Sequence, residues 1–239
     1  MPERMYNDFS GMLLLDKPAG ITSFKAVYTV KKNLNVKKAG HCGTLDPLAT
    51  GLLLILAGSA TKLQDRFMKK DKVYRTSFLL GTETDSGDLD GKIIYKKDFF
   101  HISFDAVKDT VKKFEGEISQ IPPMFSALKH NGIRLYELAR KGIEIERKPR
   151  KVIIKSIEIL SFSEGILDLR IECSSGTYIR TLAKDIGDFL GCGAVVNSLR
   201  REKIGNFDVK DALKFSELEN IDIVKLKLIS LSPSPFSSP

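Results

Sequence analysis

Gly40-His41-Cys42-Gly43-Thr44-Leu45-Asp46-Pro47-Leu48-Ala49-Thr50-Gly51 carries a single carboxylate, Asp46, between glycines and directly ahead of a proline. A proline disfavours the α region for the residue before it, so Asp46 is expected in extended geometry. The flanking glycines permit turns that other residues resist. A continuous apolar run, Leu52 to Ala57, follows at once and reads as a buried strand. The pattern predicts a stiff loop presenting one acid from a rigid support, which is what a catalytic group needs. A lone aspartate before a proline is also a common turn residue, and the loop alone does not decide between the two.

Outward from this loop, Gly11 to Asp16 reads as a short buried strand closed by the turn Lys17-Pro18-Ala19-Gly20. Ser23 is placed to cap a helix running to about Lys38. Val27, Val30 and Leu34 share one face of it, and lysines cover the rest. Lys72 to Gly81 reads as a strand, Thr84 to Gly91 as an acidic turn, and Lys92 to Lys96 as the returning strand. Phe104 to Phe114 has helical spacing. Val152 to Phe162 and Ile166 to Cys173 read as paired strands, and Thr181 to Leu190 as a helix stopped by Gly191. Helices and strands mix without regular alternation, which predicts an α+β fold over a doubly wound sheet. The Ser/Pro-rich end from Ser230 to Pro239 is expected to be disordered.

Composition narrows the chemistry. The 239 residues are 42% hydrophobic and 28% charged, an ordinary globular balance. No apolar stretch approaches the roughly 18 residues a membrane span requires. Met1 to Ser10 has no apolar signal core, so a cytoplasmic location is expected, with no membrane partner. Cys42, Cys173 and Cys192 form no Cys-x-x-Cys pair and the three histidines are scattered, so neither a disulfide framework nor a zinc site is expected. The acidic turn resembles a calcium loop, but aligning Gly91 with the invariant glycine puts Lys97 where a bidentate glutamate belongs, and no metal is assigned. The formal charge is +8. Between Lys129 and Lys151 eight Lys/Arg face three Glu, a net +5 in 23 residues, with Tyr136 inside and Phe125 just before. Clustered cations with aromatics suit RNA; a solvated charged face has the same composition.

Several segments together resemble one family. They are Leu14-Leu15-Asp16-Lys17-Pro18-Ala19-Gly20, the Asp46 loop, Lys72-Val73-Tyr74, Thr84 to Gly91, Gln120-Ile-Pro-Pro through Lys129, Gly132 to Gly142, Cys173 to Leu182, and Leu199-Arg200-Arg201. From Gly11 to Val209 the chain resembles the TruB family of bacterial tRNA pseudouridine-55 synthases. The resemblance implies a pseudouridine synthase fold, with a central mixed, largely antiparallel sheet flanked by helices and loops. It implies isomerisation of the T-loop uridine at position 55 of tRNA, by base flipping and with no cofactor. Asp46 is then the essential acid, Arg180 the cation that keeps it ionised, and Tyr74 the tyrosine stacked on the target base. His41 fills the place of the flipped base, and Tyr178 and Leu199 line the pocket. Lys17 has a supporting role, and Lys129 and Arg200 fall in segments expected to meet RNA. The same resemblance makes residues 1–210 the catalytic domain, with an RNA-clamping insertion at about 120–151, and 211–239 a remnant without a full PUA module. The expected partner is the tRNA T arm alone, with no obligate protein partner and a monomer as the default. Two other readings stand beside it. A guide-RNA-dependent subunit of the box H/ACA type is disfavoured because its catalytic loop carries Lys-Val where this chain has Leu48-Ala49. A non-catalytic tRNA-binding or folding chaperone is disfavoured because every matched catalytic position is filled.

Overall fold

A computed structural model describes residues 6–231. The chain packs as two compact units: the described parts of Met1–Lys70 and Arg200–Pro239 form one, and Asp71–Leu199 the other.

In the first unit the chain forms strand β1 (Gly11–Lys17), helix α1 (Ser23–Leu34), strands β2 (Ala39–His41) and β3 (Thr50–Ala57), and the short helix α2 (Gln64–Met68). β1 and β3 pair antiparallel along their whole length, from Gly11 opposite Ala57 to Lys17 opposite Gly51. From Gly51 on, β3 is buried at every position, as its unbroken apolar run requires. Met12, Leu14, Cys42, Leu52, Leu54, Leu56 and Phe67 make its core. Helix α1 departs from expectation at both ends. Thr22 is the cap, its side chain accepting from the Lys25 amide at 3.1 Å. Ser23 is already helical and buried, and its hydroxyl is used elsewhere. The helix ends at Leu34 because Asn35 turns into the left-handed region (φ 48°), a conformation asparagine tolerates better than most residues.

The second unit holds β4 (Lys72–Leu80), β5 (Thr82–Thr84), β6 (Ile93–Lys96), α3 (Phe104–Lys112), β7 (Gly116–Gln120), β8 (Lys129–His130), β9 (Ile133–Arg134), α4 (Leu135–Ala139), β10 (Arg150–Ser163), β11 (Ile166–Cys173), α5 (Ile179–Leu190) and β12 (Ala194–Ile204) up to Leu199. Its strand order is β12-β4-β11-β10-β7, and β7, β10, β11 and β4 pair antiparallel in turn. The acidic turn Thr84 to Gly91 lies between β5 and β6 and is fixed to β12, where the Leu89 amide donates to Val196 and the Val196 amide to Gly87. Helix α5 ends at Gly191 as its sequence predicts. The 129–151 segment opens as the β8–β9 hairpin and α4.

Past Leu199, β12 continues into the first unit and lies parallel to β3, Arg200 opposite Thr50 and Arg201 opposite Gly51. β13 (Phe207–Asp208), β14 (Leu213–Lys214) and α6 (Ile221–Leu226) complete that unit, β14 running parallel to β1. The fold is therefore α+β with mixed, largely antiparallel pairing, as the sequence predicts. All three cysteines are buried and free. No helix among the described residues is long and apolar enough to cross a membrane. Of the Ser/Pro-rich end, residues 232–239 lie outside the described residues.

The close approach of β3 and β12 dictates one glycine. Gly51 has φ 100°, and a Cβ there would overlap the backbone of Arg201. Gly20, also at positive φ (80°), has open space around it. Gly20→Ala should cost about 1–2 kcal/mol through backbone strain alone. Gly51→Ala adds a backbone clash to that strain and should cost more than about 3 kcal/mol. Urea titration of the two variants gives this ordering; equal losses would contradict the packing.

Candidate active site

The Asp46 loop joins β2 to β3. Asp46 itself is half-buried. Behind it the backbone makes a tight turn, the Ala49 amide donating to the Asp46 carbonyl at 3.1 Å, with Pro47 at the second turn position that its fixed φ favours. Three buried side chains from distant parts of the first unit hold the loop's backbone.

Arg201 is 1% exposed. A buried guanidinium needs acceptors for its donors, and this one finds them on the loop. Nε donates to the Leu52 carbonyl at 2.8 Å, Nη2 to Gly43 at 3.0 Å and Nη1 to Thr44 at 3.3 Å. Its register opposite Gly51 makes this reach possible. Ser23 is the second pin. The Leu45 amide donates to its Oγ at 2.8 Å, and Oγ lies 3.0 Å from the Leu45 carbonyl. The hydroxyl expected to cap α1 instead holds the residue before Asp46. Lys17, fully buried at the end of β1, is the third. Its Nζ donates to the carbonyls of Ile21 (2.8 Å), Pro18 (2.9 Å) and Pro47 (3.4 Å). The Gly20 amide also donates to Pro47, at 2.9 Å. The loop is thus gripped before Asp46 and after it.

Burial pushes the Lys17 ammonium down from 10.5 to about 8; the Asp46 carboxylate opposes this, and the Arg201 charge adds to it. His41 closes β2, half-buried, with its carbonyl taken by Gln64 Nε2 at 2.9 Å. Arg200 grips Asp16 with both guanidinium nitrogens, at 3.0 and 2.7 Å. Its side chain is 40% exposed, so one flank stays open to solvent.

The second unit organises Arg180 and Tyr178 by the same use of backbone. Tyr178 is the residue preceding α5. The buried Gln120 brackets its main chain, accepting from the Tyr178 amide at 3.0 Å and donating to its carbonyl at 3.2 Å. This explains the glutamine of the Gln-Ile-Pro-Pro segment. Arg180, 6% exposed in the first turn of α5, donates to the carbonyls of Ser86 and Phe125, each at 2.7 Å. Its Nε lies 3.8 Å from the buried Asp88 carboxylate, which also accepts from Ser86 Oγ at 2.6 Å. Tyr74 is buried on β4 opposite Ile171. Leu199 is buried on β12. Lys129 is exposed, directly across the hairpin from Arg134. Two like charges in that register repel, an arrangement that an anion would relieve.

The structure thus brings Lys17, Asp46 and Arg201 together in one unit, and Tyr178 and Arg180 with Gln120, Asp88 and Phe125 in the other. Arg201, Ser23, Gln120 and Asp88 are the residues sequence reading left without these roles. Among the described residues no group of three or more His, Cys, Asp or Glu is placed to hold a metal.

The Lys17–Asp46 coupling is measurable. The Lys17 Cε signal in NMR should titrate near pH 8, and Asp46→Asn should move the midpoint lower by removing the charge that raises it. A midpoint near 10.5, or none of this response, would contradict the burial. Between pH 8 and 10.5 the unfolded chain keeps a proton the native state has released, so this group makes stability rise with pH in that window.

Comparison with known proteins gives the family of the chain. The N-terminal domain of the TruB family pseudouridylate synthases matches residues 31–179, and the tRNA pseudouridylate synthase B C-terminal domain matches residues 180–226. A tRNA pseudouridine synthase B of Endomicrobium trichonymphae is 64% identical over 95% of this chain and 98% of its own length. One from Bordetella avium is 46% identical over 98% of this chain and 97% of its own. Among solved structures, a Cbf5-Nop10-Gar1 complex contains a similar chain, 30% identical with a TM-score of 0.70. The match covers 93% of this chain but 59% of that one, so this chain spans under two thirds of it. By sequence over nearly its full length and by fold, the chain belongs to the TruB family of pseudouridylate synthases.

Proposed function

We propose that this chain converts the T-loop uridine at position 55 of tRNA to pseudouridine, with Asp46 as the essential carboxylate. The observation that carries the reading is the loop itself: one half-buried acid on a backbone gripped at Gly43, Thr44, Leu45, Pro47 and Leu52 by Arg201, Ser23 and Lys17. Such a support holds a reacting group within the narrow geometry catalysis needs.

The reaction is an isomerisation and balances within the substrate. The bond from N1 to C1′ breaks, the uracil turns, and C5 bonds to C1′. The C5 proton leaves and N1 gains one. The family pattern assigns Asp46 to act on the ribose or the base in its ionised form, and Arg180 to keep it ionised. It assigns Tyr74 to stack on the base and assist removal of the C5 proton, and Tyr178 and Leu199 to line the pocket. A base inside a stack must be extruded first, and a ring that fills its place offsets the lost stacking; His41 takes that role. Lys129, Arg200 and the cations of the 129–151 segment position the RNA through its phosphates, without reading sequence. The substrate is the T arm of tRNA, met by a monomer in the cytoplasm without guide RNA or protein partner.

Incubation with a bare T-arm hairpin, followed by mapping of the modified nucleotide, is the test. The expected outcome is one pseudouridine at the T-loop uridine, abolished in Asp46→Asn with hairpin affinity retained. Binding without pseudouridine in the wild-type protein would favour a tRNA-binding chaperone. Activity only with an added guide RNA would favour the guide-dependent reading.

A further inference from the structure

Helix α1 turns its outer face to solvent with two large aromatics on it. Phe24 is 76% exposed and Tyr28 54% exposed. They stand four residues apart, one above the other on the same face, about 6 Å along the axis. Lys25, Lys31 and Lys32 are exposed beside them. Single exposed aromatics need no explanation; two in register, ringed by cations, do. Residues 17–45 hold six lysines and not one Asp or Glu.

The place of this face matters as much as its chemistry. Ser23, next to Phe24, is hydrogen-bonded on both sides of the Leu45 peptide, and Gly20 is bonded to Pro47. The start of α1 is therefore stitched to the backbone before and after Asp46. A strand of RNA that delivered a uridine to Asp46 would meet a loop tied to this end of the helix.

We propose that Phe24 and Tyr28 form a stacking platform for unpaired nucleotides of the substrate RNA close to the target uridine, with Lys25 and Lys32 contacting the adjoining phosphates. The inference rests on the reading of the chain as an RNA-modifying enzyme. Charge selects RNA over a protein partner, because a helix face whose charged residues are all lysines suits a polyanion and every base offers a π-face to an exposed ring.

Four proteins and one probe test it: wild type, the double variant Phe24→Ala/Tyr28→Ala, Phe24→Trp, and Lys25→Ala/Lys32→Ala, each with the T-arm hairpin. Dissociation constant, its salt dependence, KM, kcat and melting temperature are read for each. The aromatic double variant should raise Kd and KM by about tenfold or more, with kcat and the salt slope unchanged. Phe24→Trp, which keeps a ring, should behave as wild type. The lysine double variant should lower the slope of log affinity against log salt by about 1.5. Wild-type affinity in the aromatic double variant, or a fall in kcat with Kd unchanged, overturns the platform. Failure of the wild-type protein to form pseudouridine would instead defeat the reading of function, while the hairpin affinities would still decide the platform.

Discussion

The guanidinium of Arg201, buried against the carbonyls of Gly43, Thr44 and Leu52, is the contact on which the catalytic loop depends. An isolated buried cation is costly. This one is tolerated because three carbonyl dipoles, fixed by the loop, receive its donors. The dependence is mutual. Without Arg201 the buried Leu52 carbonyl would lose this donor, a loss on the order of 1–3 kcal/mol, and the half-buried Gly43 and exposed Thr44 carbonyls would lose the contact that fixes their place. Without the Gly51 approach of β3 to β12, the arginine could not reach them. Lys17 repeats the device on the other side of Asp46 with Pro18, Ile21 and Pro47. Both cations raise the positive potential behind the carboxylate, and the Asp46 charge in turn raises the Lys17 pKa that burial lowers.

The second unit uses the same economy of means. Gln120 brackets the Tyr178 peptide, and Arg180 gathers the Ser86 and Phe125 carbonyls. Segments far apart in sequence are thereby tied to the first turn of α5. Buried polar groups here are satisfied mainly by main chain, which fixes loops that have no regular structure of their own.

Much of this was legible in the chain. The apolar run after the loop, the Phe104 helix, the β10–β11 pair and the Gly191 stop all follow from local pattern and appear in the structure. What stayed hidden depends on partners distant in sequence. Thr22 and Ser23 satisfy the capping rule equally well; only the position of Leu45 decides that Ser23 is used elsewhere. Asn35 is a permitted stop for α1, but the lysines after it continue the pattern and mask the signal. Arg201 sits in the charged run Arg200-Arg201-Glu202-Lys203, and is buried because parallel pairing puts it opposite a glycine 150 residues earlier. Asp88 read as a hairpin aspartate, and its proximity to Arg180 comes from the fold of the acidic turn onto β12.

The claim that rigid backbone support makes Asp46 effective is tested most directly at Arg201. Arg201→Lys keeps the charge but cannot reproduce the planar fork that reaches three carbonyls. Single-turnover pseudouridine formation on a T-arm hairpin, with hairpin affinity measured in parallel, separates support from binding. The expected result is a rate constant lowered about a hundredfold, the scale of a small misplacement of a reacting group, with affinity within a few-fold of wild type. An unchanged rate constant in a folded Arg201→Lys protein would contradict the account.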